Sequence, residues 1–237
     1  MNASSKPRYD EIADWYSSWI ETSWSHAVIA DELPPLCGDV SGQRVLDVAC
    51  GEGVFGRLLA EQGAEIHGID ISEKLIASAK QQAELSDLGL SYSIEDAQAM
   101  TGLDANAFDG AICIMALMDI PDLPAVYAAT RRAVRFGGWF TIAITHPCFD
   151  SPHAAWANDD VSGSRTLAHY LDEGEWRSDL PESIRYRVGA YHRTLSTYLN
   201  EAHRAGWTLE HLIEPAGGLP GQNPLIARLL LAQFRAS

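Results

Sequence analysis

Three glycines, Gly51, Gly53 and Gly56, follow directly on an apolar run in the segment R-V-L-D-V-A-C-G-E-G-V-F-G (44–56). Val45, Leu46 and Val48 suit a buried β-strand, and the glycines let the backbone approach a ligand with no Cβ in the way. A helix beginning near Gly53 would aim its unsatisfied N–H groups, and the positive end of its dipole, at that ligand. The spacing G-x-G-x-x-G is shared with dinucleotide-binding proteins, so the glycines alone indicate a nucleotide-type ligand without choosing it. Two carboxylates add chemistry. Asp47 lies inside the strand, near where a pyrophosphate would have to approach, and a carboxylate there repels phosphate and suits a cation. Asp70 ends a second apolar run, E-I-H-G-I-D-I (65–71), at the distance of roughly 20 residues where a ribose-binding carboxylate is expected. An ionised carboxylate only accepts, so Asp70 could serve both ribose hydroxyls. NAD enzymes use the same device, and Asp70 supports a ribose without naming its owner.

A nucleoside ligand with positive charge is S-adenosylmethionine, whose ammonium and sulfonium groups outnumber its one carboxylate. The segment V-L-D-V-A-C-G-E-G (45–53) resembles, as it stands, the first motif of the class I S-adenosylmethionine-dependent methyltransferases. Two later segments continue the resemblance in register. L-S-Y-S-I-E-D-A-Q-A-M (90–100) is similar to the family's third strand end, and F-D-G-A-I-C-I-M-A-L-M-D-I-P-D (108–122) to its acceptor-side motif. The resemblance implies S-adenosylmethionine as cofactor, with Asp96 accepting from the adenine amino group and the Ala97 N–H reaching a ring nitrogen. Asp47, Ala49, Gly51, Gly53, Asp70, Ile71 and Met115 complete the implied cofactor set. N-terminal helices fold over the cofactor in related enzymes, with a tyrosine reaching the methionine carboxylate, and Tyr9 and Tyr16 are the candidates here.

The elements that must position these residues alternate between strand and helix, which predicts βαβ units and a parallel sheet. Helices are expected over 73–87, where Ser72 is placed as N-cap, over 122–135 with Pro124 in the first turn, and over 194–205, stopped by Gly206. The turn Phe136-Gly137-Gly138 should lead into a fifth strand at 139–145, and the last strands are expected at 208–213 and 226–234 around the turn-rich run 217–224. The family resemblance implies an α/β, Rossmann-like seven-stranded mostly parallel sheet in the order 3-2-1-4-5-7-6, with helices on both faces. Length and composition suggest one domain over 1–237; the resemblance implies that it is a methyltransferase domain with an N-terminal helical lid (1–40) and an acceptor-side lid insertion after strand five (146–191).

The net charge of −15, from 32 acidic and 17 basic residues, argues against DNA or large RNA as partner. The basic trio Arg131, Arg132 and Arg135 reads better as a solvated helix face. No run approaches the length of a membrane span and the first residues lack the apolar core of a signal peptide, so a soluble cytoplasmic protein is expected. Cys37, Cys50, Cys113 and Cys148 show no metal-ligand spacing and read as small reduced core residues, with no metal expected.

Two stretches outside the common framework should define a small-molecule acceptor. The first is the aromatic run 9–24, in which Trp15 either touches the acceptor or packs on the sheet. The second is the insertion, whose aromatics Phe149, Trp156, Tyr170, Trp176, Tyr186 and Tyr191 could wall an apolar pocket for a flat acceptor, with the polar run 158–164 facing solvent. Met118 is a further acceptor candidate. His146 directly follows strand five and is the leading base candidate, His192 is second, and Asp119 at the end of strand four could orient an amine or hydroxyl. The expected activity is methyl transfer to nitrogen or oxygen of a small aromatic or heteroaromatic metabolite. Two other readings stay open: a protein that binds S-adenosylmethionine without transferring methyl, as a regulator or rearrangement catalyst, and an NAD-dependent oxidoreductase.

Overall fold

The computed structural model describes residues 8–152, 154–156, 164–216 and 225–237. A 3-10 turn (Arg8–Glu11), α1 (Ala13–Ile20) and α2 (Trp24–Cys37) precede β1 (Arg44–Val48), α3 (Val54–Ala60), β2 (Glu65–Asp70), α4 (Glu73–Ala83) and β3 (Leu90–Ile94). Next come β4 (Phe108–Ile114), a 3-10 turn (Leu117–Asp119), α5 (Leu123–Ala133) and β5 (Val134–Thr145). The insertion holds two short ribbons, β6 (Ala154–Trp156) with β7 (Arg165–Leu167) and β8 (Gly174–Trp176) with β9 (Ala190–His192), and the short helix α6 (Ile184–Val188) between β8 and β9. The chain ends with α7 (Leu195–Arg204), β10 (Trp207–Ile213) and β11 (Leu229–Ala236).

The seven long strands form one sheet in the order β10-β11-β5-β4-β1-β2-β3, which is the expected 3-2-1-4-5-7-6. Pairing is parallel from β5 through β3 and antiparallel where β11 meets β5 and β10. Alternation along the strands supplies two faces. Val45, Ile112 and Leu231 bury against Ile29 and Leu33 of α2 and Phe55 and Leu59 of α3. Their neighbours Leu46, Cys113 and Leu230 bury against Val126 and Tyr127 of α5 and Tyr198 of α7. Covered on both faces, the strands can be near-continuously apolar, as β11 is.

Several boundaries differ from expectation. α4 stops at Ala83 because Leu85 beyond it is 80% exposed and has no core to meet, and Ser86 N–H closes a turn onto the Ala83 carbonyl. The Phe136-Gly137-Gly138 stretch lies inside β5 as a bulge: Val134 pairs with Phe108, then the register breaks and Trp139 pairs with Gly110. The last two strands run 207–213 and 229–236. The N-terminal lid divides in two, since Ile29 and Leu33 make α2 a core helix while the segment before it lies over the cavity described below. Arg131 and Arg132 donate to backbone carbonyls of Val134, Leu103 and Met100, and Arg135 pairs with Asp109, so the basic trio is spent within the chain. The runs 158–163 and 217–224 lie outside the described residues. Among the described residues all four cysteines are free, and no helix is long and apolar enough to cross a membrane.

Candidate active site

Parallel strands deliver their carboxyl ends to one edge of the sheet, and β1 and β4 are where the winding direction reverses. A cavity of about 200 Å³ opens there. Its wall takes Ala49, Cys50 and Gly51 from after β1, Asp70 and Ile71 from the end of β2, Asp96 and Ala97 from after β3, and Met115 from after β4. Ala49 and Met115 both hold left-handed backbone, with φ of 54° and 57°, a conformation that costs a non-glycine residue about 1 kcal/mol. They bend the chain sharply out of two adjacent strands. Asp70 accepts from the Gly51 N–H through one oxygen (2.9 Å) and the Ser72 N–H through the other (2.8 Å), so the ends of β1 and β2 are tied together by the carboxylate itself. Burial raises its pKa, and those two backbone donors oppose the rise. Asp96 is fixed by the backbone N–H and side-chain amide of Gln98.

The glycine motif contributes differently from expectation. Gly53 has φ of 73° and caps α3, and a side chain there would collide with the Tyr92 ring, so its role is to let α3 start against β3. Asp47 is likewise off the cavity wall. It sits in register with Gly68 and Ile112, on the sheet face covered by α3, and accepts from the Gly56 N–H at 3.1 Å. A Cβ at Gly56 would stand 2.8 Å from the same oxygen. Burial pushes the Asp47 carboxyl up to about 7, with the Gly56 bond opposing. The carboxylate inside the strand therefore anchors the turn from beneath and does not border the cavity.

The opposite wall comes from distant parts of the chain. Tyr9 and Tyr16 meet edge to face, 5.1 Å between centroids, and both line the cavity with Ile20, His26 and Phe55. Tyr9 donates to Asp119 Oδ2 at 2.9 Å, and Arg185 of α6 donates to the other oxygen. The Asp119 and Arg185 side chains are only 14% and 13% exposed, which makes this a largely desolvated ion pair. Burial raises the Asp119 pKa and Arg185 opposes it, while burial and then Asp119 push the Tyr9 phenol well up. Arg8 donates to the Val188 carbonyl at 2.9 Å and reaches the Tyr191 hydroxyl at 3.3 Å, and Tyr191 and Val188 also line the cavity.

Both base candidates lie elsewhere. His146 is 1% exposed, its Nδ1 accepts from the Cys148 and Phe149 N–H groups, and Nε2 meets Glu214 at 2.6 Å. With Nδ1 accepting, the proton sits on Nε2, and the ring is fully used in closing the turn after β5. His192 Nε2 bonds the Tyr170 carbonyl at 2.8 Å. His192 and Met118 border a separate pocket of about 20 Å³, room for a water and no more. Trp15 stacks on Trp19 and lies under Arg187, Phe149 packs on His146, and Trp156 lies under Arg165, so these three also stand away from the cavity. Of the insertion's aromatics, Tyr191 alone among the described residues reaches it.

The histidine on the wall is His26, in the first turn of α2, which no spacing motif marks. Its only sequence signal is position next to the aromatic run. Burial lowers its pKa to about 4, so the imidazole is neutral at neutral pH.

The charge of the wall tests the cofactor. Glu52, Asp70, Glu95, Asp96 and Asp119 line the cavity, and among the described residues Arg8 is the one cation on its wall. Such a wall repels the two phosphates of NAD and suits a ligand bearing an ammonium and a sulfonium. Asp70, Asp96, Ala97 and Ile71 would hold the adenosyl part of S-adenosylmethionine.

A methyltransferase-domain family model matches residues 39–183, more than half of the chain. The chain is 35% identical over 100 residues to a ubiquinone biosynthesis O-methyltransferase from Thiobacillus denitrificans, covering 42% of this chain and 43% of that protein. A protein of the same name from Bordetella avium is 30% identical over 130 residues, 54% of each chain. The chain thus spans about half the length of the curated relatives it matches. Among solved structures, an S-adenosylmethionine-dependent methyltransferase from Mesorhizobium loti superposes with a TM-score of 0.74 at 28% identity, over 91% of this chain and 99% of that one. A putative one from Listeria monocytogenes shares the fold at a TM-score of 0.75 and 24% identity, over 89% and 99%. The sheet order, the acidic cavity at the reversal of winding and these matches lead to one conclusion: the chain belongs to the methyltransferase-domain family, among the class I enzymes that use S-adenosylmethionine.

Proposed function

We propose that the chain transfers a methyl group from S-adenosylmethionine to a hydroxyl oxygen of a small, uncharged aromatic acceptor: the S–CH₃ bond breaks as the O–CH₃ bond forms, S-adenosylhomocysteine leaves, and the hydroxyl proton passes to solvent. The observation that carries the reading is the composition of the cavity wall: a carboxylate-rich half on the strand ends faces an aromatic half built from Tyr9, Tyr16, His26 and Phe55. The names of the relatives, O-methyltransferases of ubiquinone biosynthesis, favour oxygen over nitrogen as the accepting atom.

The bound cofactor supplies a methyl group already activated on a sulfonium. The chain's task is to hold and orient, which can lower a barrier by about 7–11 kcal/mol when two reactants are positioned together. Asp70 and Asp96 fix the nucleoside end. Tyr9, held by Asp119, and the rings of Tyr16 and Phe55 form an apolar slot that sheds water from a flat acceptor. Asp119 is engaged on both oxygens by Tyr9 and Arg185, so its part is to position Tyr9 and the docked insertion. Trp15, Met118, Phe149 and Trp156 stay outside this assignment because none borders the cavity.

Calorimetry with S-adenosylhomocysteine and NAD, followed by a radiolabelled methyl-transfer screen over phenols, aromatic amines and aromatic carboxylates, tests the reading. Binding of the homocysteine form, no binding of NAD, and label on phenols are expected. Tight binding with no transfer to any class would favour a binding protein that does not transfer methyl.

A further inference from the structure

His26 occupies the cavity wall without belonging to any strand-end motif, and its ring is held from three sides. Nδ1 is 3.0 Å from Ser23 Oγ, the face lies on Phe55 with centroids 5.4 Å apart at 23°, and Trp19 meets it edge-on at 5.8 Å. Ser23 Oγ is itself 2.9 Å from Ser25 Oγ, and Ser25 is buried. When Ser23 gives its proton to Ser25, it can accept from Nδ1–H, which leaves the lone pair on Nε2. No hydrogen bond engages Nε2 among the described residues. Of the eight histidines in the sequence, His26 alone among the described residues borders this cavity. A locked, uncharged ring with one spare acceptor is a device for reading a hydrogen-bond donor, not a charge.

Resting on the methyltransferase reading above, we propose that His26 selects the acceptor, its Nε2 accepting a hydrogen bond from a phenol-type hydroxyl held against Phe55. The site then favours a hydroxylated aromatic over the same ring with that hydroxyl already methylated. Product would lose the hydrogen bond that held substrate, which also favours its release.

The test uses the full chain saturated with S-adenosylhomocysteine, with catechol and its dimethyl ether as probes in calorimetry. Catechol should bind about 10-fold more tightly than the ether, the effect of one hydrogen bond, and adding it should shift the ¹⁵N resonance of His26 Nε2. His26→Phe keeps an aromatic ring on Phe55, so it should bring the two probes within about 2-fold of each other while S-adenosylhomocysteine affinity stays unchanged. Persistence of the preference in His26→Phe would overturn the proposal. So would a matching loss of S-adenosylhomocysteine affinity, because His26 would then be serving the donor. The wild-type ¹⁵N shift decides the matter without any variant: a resonance unmoved by bound catechol overturns it. If the wild type holds S-adenosylhomocysteine but neither probe, this proposal fails and the parent reading stands; failure to hold S-adenosylhomocysteine defeats the parent reading itself.

Discussion

Along the strand ends, two cavity carboxylates are held by groups from the same or the next strand end: Asp70 by the Gly51 and Ser72 N–H groups, Asp96 by the N–H and side-chain amide of Gln98. Across the cavity, Asp119 is held by Tyr9, 110 residues earlier, and by Arg185, 66 residues later. The first wall forms as a local product of strand–turn–helix junctions once the sheet is paired. The second exists only after the N-terminal segment and the insertion have docked onto the end of β4. Under the proposed function, the first is a donor side that any sequence with the right junctions reproduces, and the second an acceptor side whose composition can change with two peripheral segments.

Asp119→Ala should show the largest effect, since it leaves the Arg185 guanidinium desolvated and unpaired. A loss of about 3–5 kcal/mol in urea unfolding is expected, with S-adenosylhomocysteine affinity changed far less. Equal losses in stability and cofactor affinity would show that the two walls are one cooperative unit. Asp70→Asn should do the reverse. It weakens S-adenosylhomocysteine binding by about 30-fold in calorimetry, as expected for charge-assisted hydrogen bonds, with a smaller cost in stability.

The third prediction uses pH. Asp47 has a folded pKa of about 7, above its usual carboxylate value, so it favours folding at low pH and this contribution is lost as pH rises from about 4 through 7. Asp70 and Asp119 are raised as well and act in the same direction. His26 is depressed to about 4, so its contribution is present above about 6.5 and lost as pH falls toward 4. The two windows overlap with opposite sign. Asp47→Asn should therefore make the protein lose stability on acidification from pH 6.5 to 4, by on the order of 2 kcal/mol relative to wild type. An identical pH profile in chemical denaturation would show that Asp47 is not protonated in the folded state. The smallest effect belongs to His146→Ala, which breaks the turn after β5 and should cost about 1–2 kcal/mol, with turnover at saturating acceptor within about 2-fold of wild type. A collapse of turnover with stability intact would return His146 to the mechanism.

The donor wall was legible in the sequence because its determinants are short-range: apolar runs, glycines and acidic residues at fixed offsets. Even there, the side on which a residue faces was not. Asp47 alternates onto the α3 face, and nothing in a linear motif distinguishes a carboxylate under the turn from one above it. The acceptor wall was only partly legible. The sequence marks Tyr9 and Tyr16 for the methionine carboxylate of the cofactor, Asp119 for orienting an acceptor and Tyr191 for walling one; the cavity brings the four together, with Tyr9 bonded to Asp119 in place of the expected contacts. Arg185 and His26 were missed because their meaning arises from tertiary docking. His146 was misplaced for a related reason: a residue that follows a strand can face the cavity or close the turn, and the deciding partner, Glu214, lies 68 residues on.

The left-handed backbone at Ala49 and Met115 has a consequence for engineering. Glycine at either position would take the same φ without the strain of about 1 kcal/mol, yet Met115 packs against both faces of the core and losing its side chain costs about 2–5 kcal/mol, so strain relief is outweighed there. The same change would remove the methyl or the thioether chain that borders the cavity between β1 and β4. Packing and the cavity wall thus both retain Met115, while at Ala49, with one methyl to lose, tolerance measured by folding would misreport tolerance measured by ligand binding.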